Sequence, residues 1–173
     1  MVGDALRRSG IRAVLTGGAC ADLYAEGAGV SFDADFILGG EVRREDLDRA
    51  LASVGFTRKR DRYVHPRLRF HVEFPAGPLG IGQDVRIEPV LRTRRGARTW
   101  ALSATDACRD RLAAFYFWSD RQSLGLAAAI ALRNRVSLTK IRAWSRAEGQ
   151  SVGYEEFLRE LRRARAYRKT PRR

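Results

Sequence analysis

The sequence predicts an α+β fold: a small mixed β-sheet with flanking helices in about residues 1–102, followed by a C-terminal helical bundle in about residues 103–173. Two observations support this prediction. In the first part, apolar and polar residues alternate over short segments, which is the two-residue period of half-buried strands. In the second part, apolar residues recur every three or four positions, as they do along amphipathic helices. The chain of 173 residues is long enough to bury a core.

Glycines divide the first part of the chain into short elements. Leu47, Leu51 and Val54 recur at helical spacing, and Gly55 follows them as a helix C-cap. We expect helices at residues 3–9, 18–25 and 44–54, and strands at residues 12–16, 32–38, 56–64, 68–75, 85–91 and 98–102. The expected turns are at residues 26–30, at the charged stretch within 56–64, and at residues 94–96.

Capping residues divide the second part into helices. Helical apolar patterns follow Ser103 or Thr105, the pair Ser119–Asp120, and Ser137, whose side chains can accept hydrogen bonds from the first turn. We expect helices at residues 103–118, 119–131, from 137, and 154–167, with a disordered basic tail at 169–173. The arginines of the last helix and tail are either a solvated face or an arm that contacts RNA.

Composition limits the expected cellular location and partners of the protein. No apolar run approaches the ~20 residues that span a bilayer, and charged residues interrupt the N-terminus where a secretion signal would lie. We therefore expect a cytoplasmic protein without a membrane partner. Cys20 and Cys108 lack metal-ligand spacing and are expected to be buried thiols. The net charge of +13 suits nucleic acid, although a general preference for Arg explains it equally well.

Two acidic residues on one predicted strand are the strongest functional signal. In the segment FDADF, Phe32, Ala34 and Phe36 are expected to face the core. Asp33 and Asp35 then share the opposite face, about 7 Å apart along the strand. Glu73 occupies the equivalent position in FHVEF, and Glu88, on the predicted strand 85–91, is its alternative.

Carboxylates on neighbouring strands can hold a pair of Mg²⁺ ions about 3.5–4 Å apart. Gly17 and Gly18, between a strand and a helix, offer backbone N–H groups and a positive helix end to phosphate. Metal and phosphate together indicate nucleotide chemistry. The alternative interpretation of Asp33 and Asp35 is a solvated edge strand, and that of Gly17 and Gly18 is a tight turn without a ligand. His65 and His71 are expected to be polar surface residues, with a place near the site as the alternative, because His71 shares a strand face with Glu73.

The order LTGG…SFDADF resembles the polymerase-beta nucleotidyltransferase superfamily. The stretches RYVHP, RFHVEFPAGPLGIG and LSATDACRDRLAAFYFWSDRQSL extend the resemblance to small prokaryotic nucleotidyltransferases related to AbiEii-type abortive-infection toxins. Together these stretches cover most of residues 12–161. The resemblance implies that the first part is a nucleotidyltransferase core.

The resemblance also implies residue roles in metal binding. Asp33 and Asp35 would bind two Mg²⁺ ions, with Mn²⁺ as an alternative metal. Glu73 would be the third carboxylate and would help activate the acceptor hydroxyl.

The implied nucleotide-binding residues lie in both parts of the chain. Gly17 and Gly18 would hold the triphosphate through the backbone, and Ser31 would lie near the phosphates. Arg111 would contact phosphate; the relatives carry a basic residue there, and an arginine can fork onto phosphate but cannot donate a proton as a lysine can. Asp120 and Arg121 occupy the region of an Arg–Asp pair in the relatives.

The implied function is Mg²⁺-dependent transfer of a nucleoside monophosphate from an NTP to an acceptor hydroxyl, with release of pyrophosphate. Relatives indicate the tRNA 3′ end as the acceptor, toxin-like activity and a cognate antitoxin as partner. A small-molecule (antibiotic) or protein acceptor is an alternative, as is a non-catalytic relative that binds nucleotide or nucleic acid.

Overall fold

A computed structural model describes residues 1–29 and 31–169 of the chain. It confirms a mixed α/β architecture that is consistent with the predicted α+β class. In chain order the elements are α1 Val2–Arg8, β1 Ala13–Leu15, α2 Gly17–Tyr24, β2 Asp33–Leu38, α3 Arg44–Ala52, β3 Thr57–Lys59, β4 Arg62–Val64, β5 His71–Glu73, β6 Val90–Arg94, β7 Ala97–Ala101, α4 Ala104–Trp118, α5 Arg121–Arg133, α6 Leu138–Ala147 and α7 Ser151–Lys169. Val30 in the predicted turn and residues 170–173 of the predicted basic tail lie outside the described residues.

The described strands form one seven-stranded mixed sheet in the order β3-β4-β5-β2-β1-β7-β6. The neighbours of β2 are β1, which runs antiparallel to it, and β5, which runs parallel. The β2–β5 register pairs Asp33 with His71 and Asp35 with Glu73. This non-local pairing places residues that are distant in the chain side by side.

The alternating pattern of β2 holds within the strand but fails at the residue before it. Ala34 and Phe36 are buried in the core, and Val72 of β5 is buried beside them. Phe32 was expected in the core but is 56% exposed. The strand begins only at Asp33, so Phe32 lies outside its alternation, although its carbonyl accepts a hydrogen bond from the His71 amide.

The helices of the second part begin where the capping residues predict. The Ser103 side chain accepts from the Asp106 amide, Asp120 accepts from two amides at the start of α5, and Ser137 caps α6. These caps satisfy amides that have no partner within their helix. Helix α7 begins at Ser151, earlier than the predicted residue 154.

Only the last two residues of the strand predicted at residues 85–91 lie in a strand. Strand β6 begins at Val90, and Arg95 and Gly96 form the hairpin turn with φ angles of 49° and 79°. That turn sets the β6–β7 register, which ends at the pair of Val90 with Ala101, and Pro89 before it has no N–H to donate. Glu88 is therefore exposed and outside the sheet.

Within the described residues, no helix has the length and apolar character required to cross a membrane. Cys20 and Cys108 are both buried and unpaired, as predicted. Burial raises the pKa of both thiols, which keeps them protonated and unreactive.

Candidate active site

The acids of β2 and β5 meet around a histidine. His71 Nε2 lies 2.8 Å from Asp33 Oδ1 and 2.9 Å from Glu73 Oε1, so one imidazole N–H lies between two carboxylates. The His71 side chain is only 20% exposed. His71 therefore takes the alternative position near the acids rather than a polar surface position, because the β2–β5 register places it opposite Asp33.

Asp35 is partly buried close to the other two acids. Burial raises the pKa of its carboxyl, and the negative charges of Glu73 and Asp33 raise it further. The positive charge of Arg111 opposes this rise without cancelling it. A cation bound here would relieve the repulsion that the raised pKa reports.

The two glycines of α2 allow close approach to β2. Gly17 has a φ angle of +66°, and a Cβ atom there would lie 2.6 Å from Asp35 Oδ2. A Cβ atom on Gly18 would lie 2.8 Å from Ser31 Oγ. Both positions require glycine, since a side chain would displace the site residues. Thr16 gives α2 no side-chain cap, so the first amides of the helix remain open to an anion.

Arg111 reaches the site from α4. Its Nε and Nη2 donate to Asp110 Oδ2 at 3.0 and 2.8 Å, and its Nη1 donates to Ser123 Oγ at 3.3 Å. Ser123 Oγ in turn donates to Asp120 Oδ2 at 2.7 Å. The contact of Ser123 with Arg111 could not be predicted from the sequence, because it depends on the packing of α4 against α5.

A cavity of about 350 Å³ lies between the two parts of the chain. It brings together five of the predicted site residues: Gly18, Ser31, Asp33, Asp35 and Arg111. Of the two that do not line it, Gly17 is close to Asp35, and Glu73 pairs with Asp35 across the sheet. Phe32, Gln122 and Leu126 also line the cavity, so the exposed ring of Phe32 forms part of its wall.

Asp120 and Arg121 have different environments. Asp120 caps α5 and lines the cavity, whereas Arg121 is paired with Glu156 and lies over the Phe115 ring. Ser31 Oγ lines the cavity and donates to the Asp33 backbone carbonyl at 2.8 Å, which steadies the start of β2.

The described residues contain no ready-made group of three or more His, Cys, Asp or Glu side chains arranged around a metal position. Asp33 and Glu73 turn toward His71, whereas Asp35 lies beside Gly17. The donor types still fit Mg²⁺, which takes carboxylate oxygens together with waters and substrate phosphates. The uncompensated charge at Asp35 fits a cation as well.

This arrangement can bind a metal-bound polyphosphate between a helix N-terminus, a carboxylate pair and an arginine. The roles of its residues follow from geometry and chemistry alone. Comparison of the chain with protein-family models, curated proteins and solved structures gave no match.

Proposed function

We propose that the protein is a Mg²⁺-dependent nucleotidyltransferase that moves a nucleoside monophosphate from an NTP to an acceptor hydroxyl. One observation carries the proposal: a single cavity is lined by Asp33, Asp35, Gly18 at the start of α2, and Arg111. These are the groups that nucleotidyl transfer requires, because the reaction depends on positioning and on stabilising charge.

The carboxylates act at the reacting end of the triphosphate. Asp33 and Asp35 would hold Mg²⁺, which supplies charge neutralisation at the phosphates and acidifies the attacking hydroxyl. The acceptor oxygen bonds to the α-phosphorus while the bond to the β-phosphate oxygen breaks, and pyrophosphate leaves. Glu73, the register partner of Asp35, takes the proton of the acceptor hydroxyl. His71 orients Glu73 and Asp33 through its N–H.

The remaining groups bind the rest of the nucleotide. The open amides at the start of α2 face phosphate oxygens, and Arg111 forks onto them from α4. The hydrogen bonds from Arg111 to Asp110 and Ser123 fix the guanidinium before the substrate arrives. Phe32 offers an exposed aromatic face in the same cavity for stacking by the nucleobase.

The test is transfer of label from each α-³²P NTP, with Mg²⁺, to total RNA, to the protein itself and to small hydroxyl compounds. We expect label on an acceptor with the wild-type protein and none with the Asp33→Ala, Asp35→Ala double variant. Glu88→Ala is the matched control, because Glu88 is an exposed acid outside the sheet, and it should transfer like the wild type.

Each result separates the candidate functions. Label on RNA supports an RNA acceptor, which suits the net charge of +13, whereas label on a small molecule or on protein supports those acceptors instead. Nucleotide binding with no label on any acceptor would contradict the enzymatic function and support a non-catalytic nucleotide-binding protein instead. The toxin-like role, the tRNA 3′ end and an antitoxin partner rest on the sequence resemblance. Co-purification with a small acidic partner would test the antitoxin.

A further inference from the structure

A second cavity, of about 700 Å³, is bounded by the start of α1, helix α2, the β6–β7 hairpin and the segment before β5. We call it the hairpin groove. Ala34 and Phe36 of β2 line it. These two residues alternate along the strand with Asp33 and Asp35, so the floor of the groove lies on the strand face opposite the acids. Neither Asp35 nor Glu73 lines the groove, which is therefore a site separate from the candidate active site.

The floor of the hairpin groove is apolar. Leu15, Ala34 and Phe36 form it from the sheet, and each is at most 8% exposed. Leu23 of α2 and Phe70 before β5 are partly buried and continue the apolar surface toward the rim. A cavity of this volume with an apolar lining is typical of small-molecule sites, which bury most of the surface of their ligand. The groove therefore suits the apolar body of a small molecule.

The β6–β7 hairpin adds positive charge to the groove through Arg94, Arg95 and Arg98. Arg94 is paired with Glu26. Arg95 and Arg98 are exposed, and in the described part of the chain their side chains have no hydrogen-bond or ion-pair partner. Two guanidinium groups are therefore available to an anion bound in the groove.

The acids of the groove already face positive or hydrogen-bonding groups. Asp33 Oδ1 lies 2.8 Å from His71 Nε2. Burial raises the pKa of Asp22, and the positive charge of Arg94 opposes this rise. Neither acid pairs with the two free arginines of the hairpin, so an anionic head group at the hairpin would meet uncompensated positive charge.

We infer that the hairpin groove binds a small amphipathic anion, namely an alkyl carboxylate of the fatty-acid class. The alkyl chain lies on the apolar floor, and Arg95 and Arg98 bind the carboxylate at the rim. A neutral apolar molecule leaves both guanidinium groups without a partner, and a polyanion such as an NTP places charge against the apolar floor. The inference does not rest on the proposed function, since the groove lies on the other face of β2.

Isothermal titration calorimetry with decanoate tests this assignment, below the micelle concentration and without Mg²⁺ or NTP. We expect saturable binding to the wild-type protein. Acetate keeps only the head group and should bind at least about 100-fold more weakly, because it buries no chain on the floor. Decanol keeps only the chain and should bind about fivefold more weakly than decanoate, because it forms no ion pair with the hairpin.

A double variant, Arg95→Ala with Arg98→Ala, tests the head-group contacts. It should weaken decanoate binding by about fivefold or more and leave decanol binding unchanged, a difference that a merely misfolded groove would not show. The control is Arg142→Ala with Arg146→Ala, which removes the same charge from exposed positions that do not line the groove. It should bind decanoate within about twofold of the wild type.

A second variant tests the apolar surface. Leu68 lines the groove and is 37% exposed, so Leu68→Glu places a negative charge there at little cost to the core. Both decanoate and decanol should bind about 10-fold more weakly to it. Leu68→Met keeps an apolar side chain and should bind both like the wild type. The urea unfolding midpoints of the two variants should stay near that of the wild type.

The outcomes distinguish the groove from the catalytic proposal. Decanoate binding that falls in the groove variants but not in their controls supports the groove, whether or not the protein transfers nucleotide. Absence of saturable decanoate binding by the wild type, or equal binding by groove and control variants, overturns it. Displacement of decanoate by an NTP, together with full binding by the groove variants, places the ligand in the nucleotide cavity and also overturns the inference.

Discussion

Two acidic clusters of this protein differ in how their charge is balanced. In one, Asp84 and Asp106 flank the fully buried Arg109, and Lys140 Nζ lies 3.0 Å from Asp106 Oδ1. The pKa values of both carboxyls are lowered, at Asp84 chiefly by the hydrogen bond from Arg109 and at Asp106 by hydrogen bonds that outweigh burial. In the other, at Asp33, Asp35 and Glu73, the pKa of Asp35 is raised.

The balanced cluster joins the two parts of the chain. Arg109 Nη2 donates to Asp84 Oδ2 at 2.6 Å and Nη1 donates to Asp106 Oδ1 at 2.8 Å. The guanidinium also lies 5.0 Å from the centre of the Trp144 ring, and Trp144 Nε1 donates to the Ile81 carbonyl. The ion pairs of Arg109 and Lys140 hold the first cluster together across the two parts of the chain. In the second cluster, Asp35 is partly buried close to Asp33 and Glu73, which suits the cation of the proposed function.

The largest effect is expected when the cluster of Asp33, Asp35 and Glu73, here called the unbalanced cluster, is disrupted. Asp35→Asn keeps the shape of the side chain and removes its charge, so metal binding is lost and label transfer should fall by about 10³-fold or more. Asp84→Asn is the comparison, since it removes a charge from the balanced cluster, and its transfer per folded molecule should stay near that of the wild type. Full transfer by Asp35→Asn would contradict the assignment of this acid.

The next largest effect is a loss of stability when the balanced cluster around Arg109 is disrupted. Arg109→Met removes the main partner of Asp84 and one of the partners of the buried Asp106 carboxylate, and it should lower the free energy of unfolding by about 3 kcal/mol or more. Arg111→Met is the matched control on the same helix, and it should change stability by about 1 kcal/mol or less because Asp110 is partly exposed. Urea unfolding measures both, and equal stability of the two variants would contradict the structural role of Arg109.

A smaller effect on transfer is expected from Arg111, which lines the cavity of about 350 Å³ beside Asp33 and Asp35. Arg111→Lys keeps the charge but loses the fork that binds phosphate, so transfer should fall by about 10-fold, mainly through a higher KM for the NTP. Arg121→Lys, whose arginine pairs with Glu156 instead, is the control. An unchanged KM in Arg111→Lys would remove Arg111 from the phosphate site.

The smallest effect concerns stability and has opposite signs in the two clusters. Ionised Asp35 has a raised pKa and so costs stability at neutral pH, and Asp35→Asn should raise the unfolding free energy by about 1 kcal/mol or less. The gain should shrink as the pH falls through the pKa of folded Asp35 and vanish below the unfolded value of 3.8, where the carboxyl is neutral in both states.

Asp84 has a lowered pKa, so its contribution is present above the unfolded value of 3.8 and is lost as the pH falls through the folded pKa. Asp84→Asn should therefore destabilise the protein at neutral pH and have no further effect in acid. Urea unfolding across this pH range measures both variants, and effects of the same sign would contradict the comparison.

Local patterns predicted the parts of the fold that local interactions determine. Ser103, Asp120 and Ser137 begin helices because capping depends only on neighbouring residues. The alternation of Ala34 and Phe36 likewise predicted which face of β2 is buried.

The failures arise where distant pairing decides the structure. The β6–β7 hairpin register excluded residues 85–89 from the sheet, and with them Glu88. The parallel pairing of β5 with β2 brought His71 between two acids, which spacing within either strand could not show. Ser123 meets Arg111 only because α4 packs on α5. The candidate acids Asp33, Asp35 and Glu73 could be identified from the sequence, whereas the contacts of His71 with Asp33 and Glu73 could not.

Binding of Mn²⁺, followed by electron paramagnetic resonance in the presence of an NTP, tests the central claim most directly. The unbalanced cluster should hold the metal, so the wild type and Glu88→Gln should bind Mn²⁺ alike and Asp35→Asn should bind it at least about 10-fold more weakly. Equal Mn²⁺ affinity in the wild type and in Asp35→Asn would contradict the claim that this cluster is a metal site.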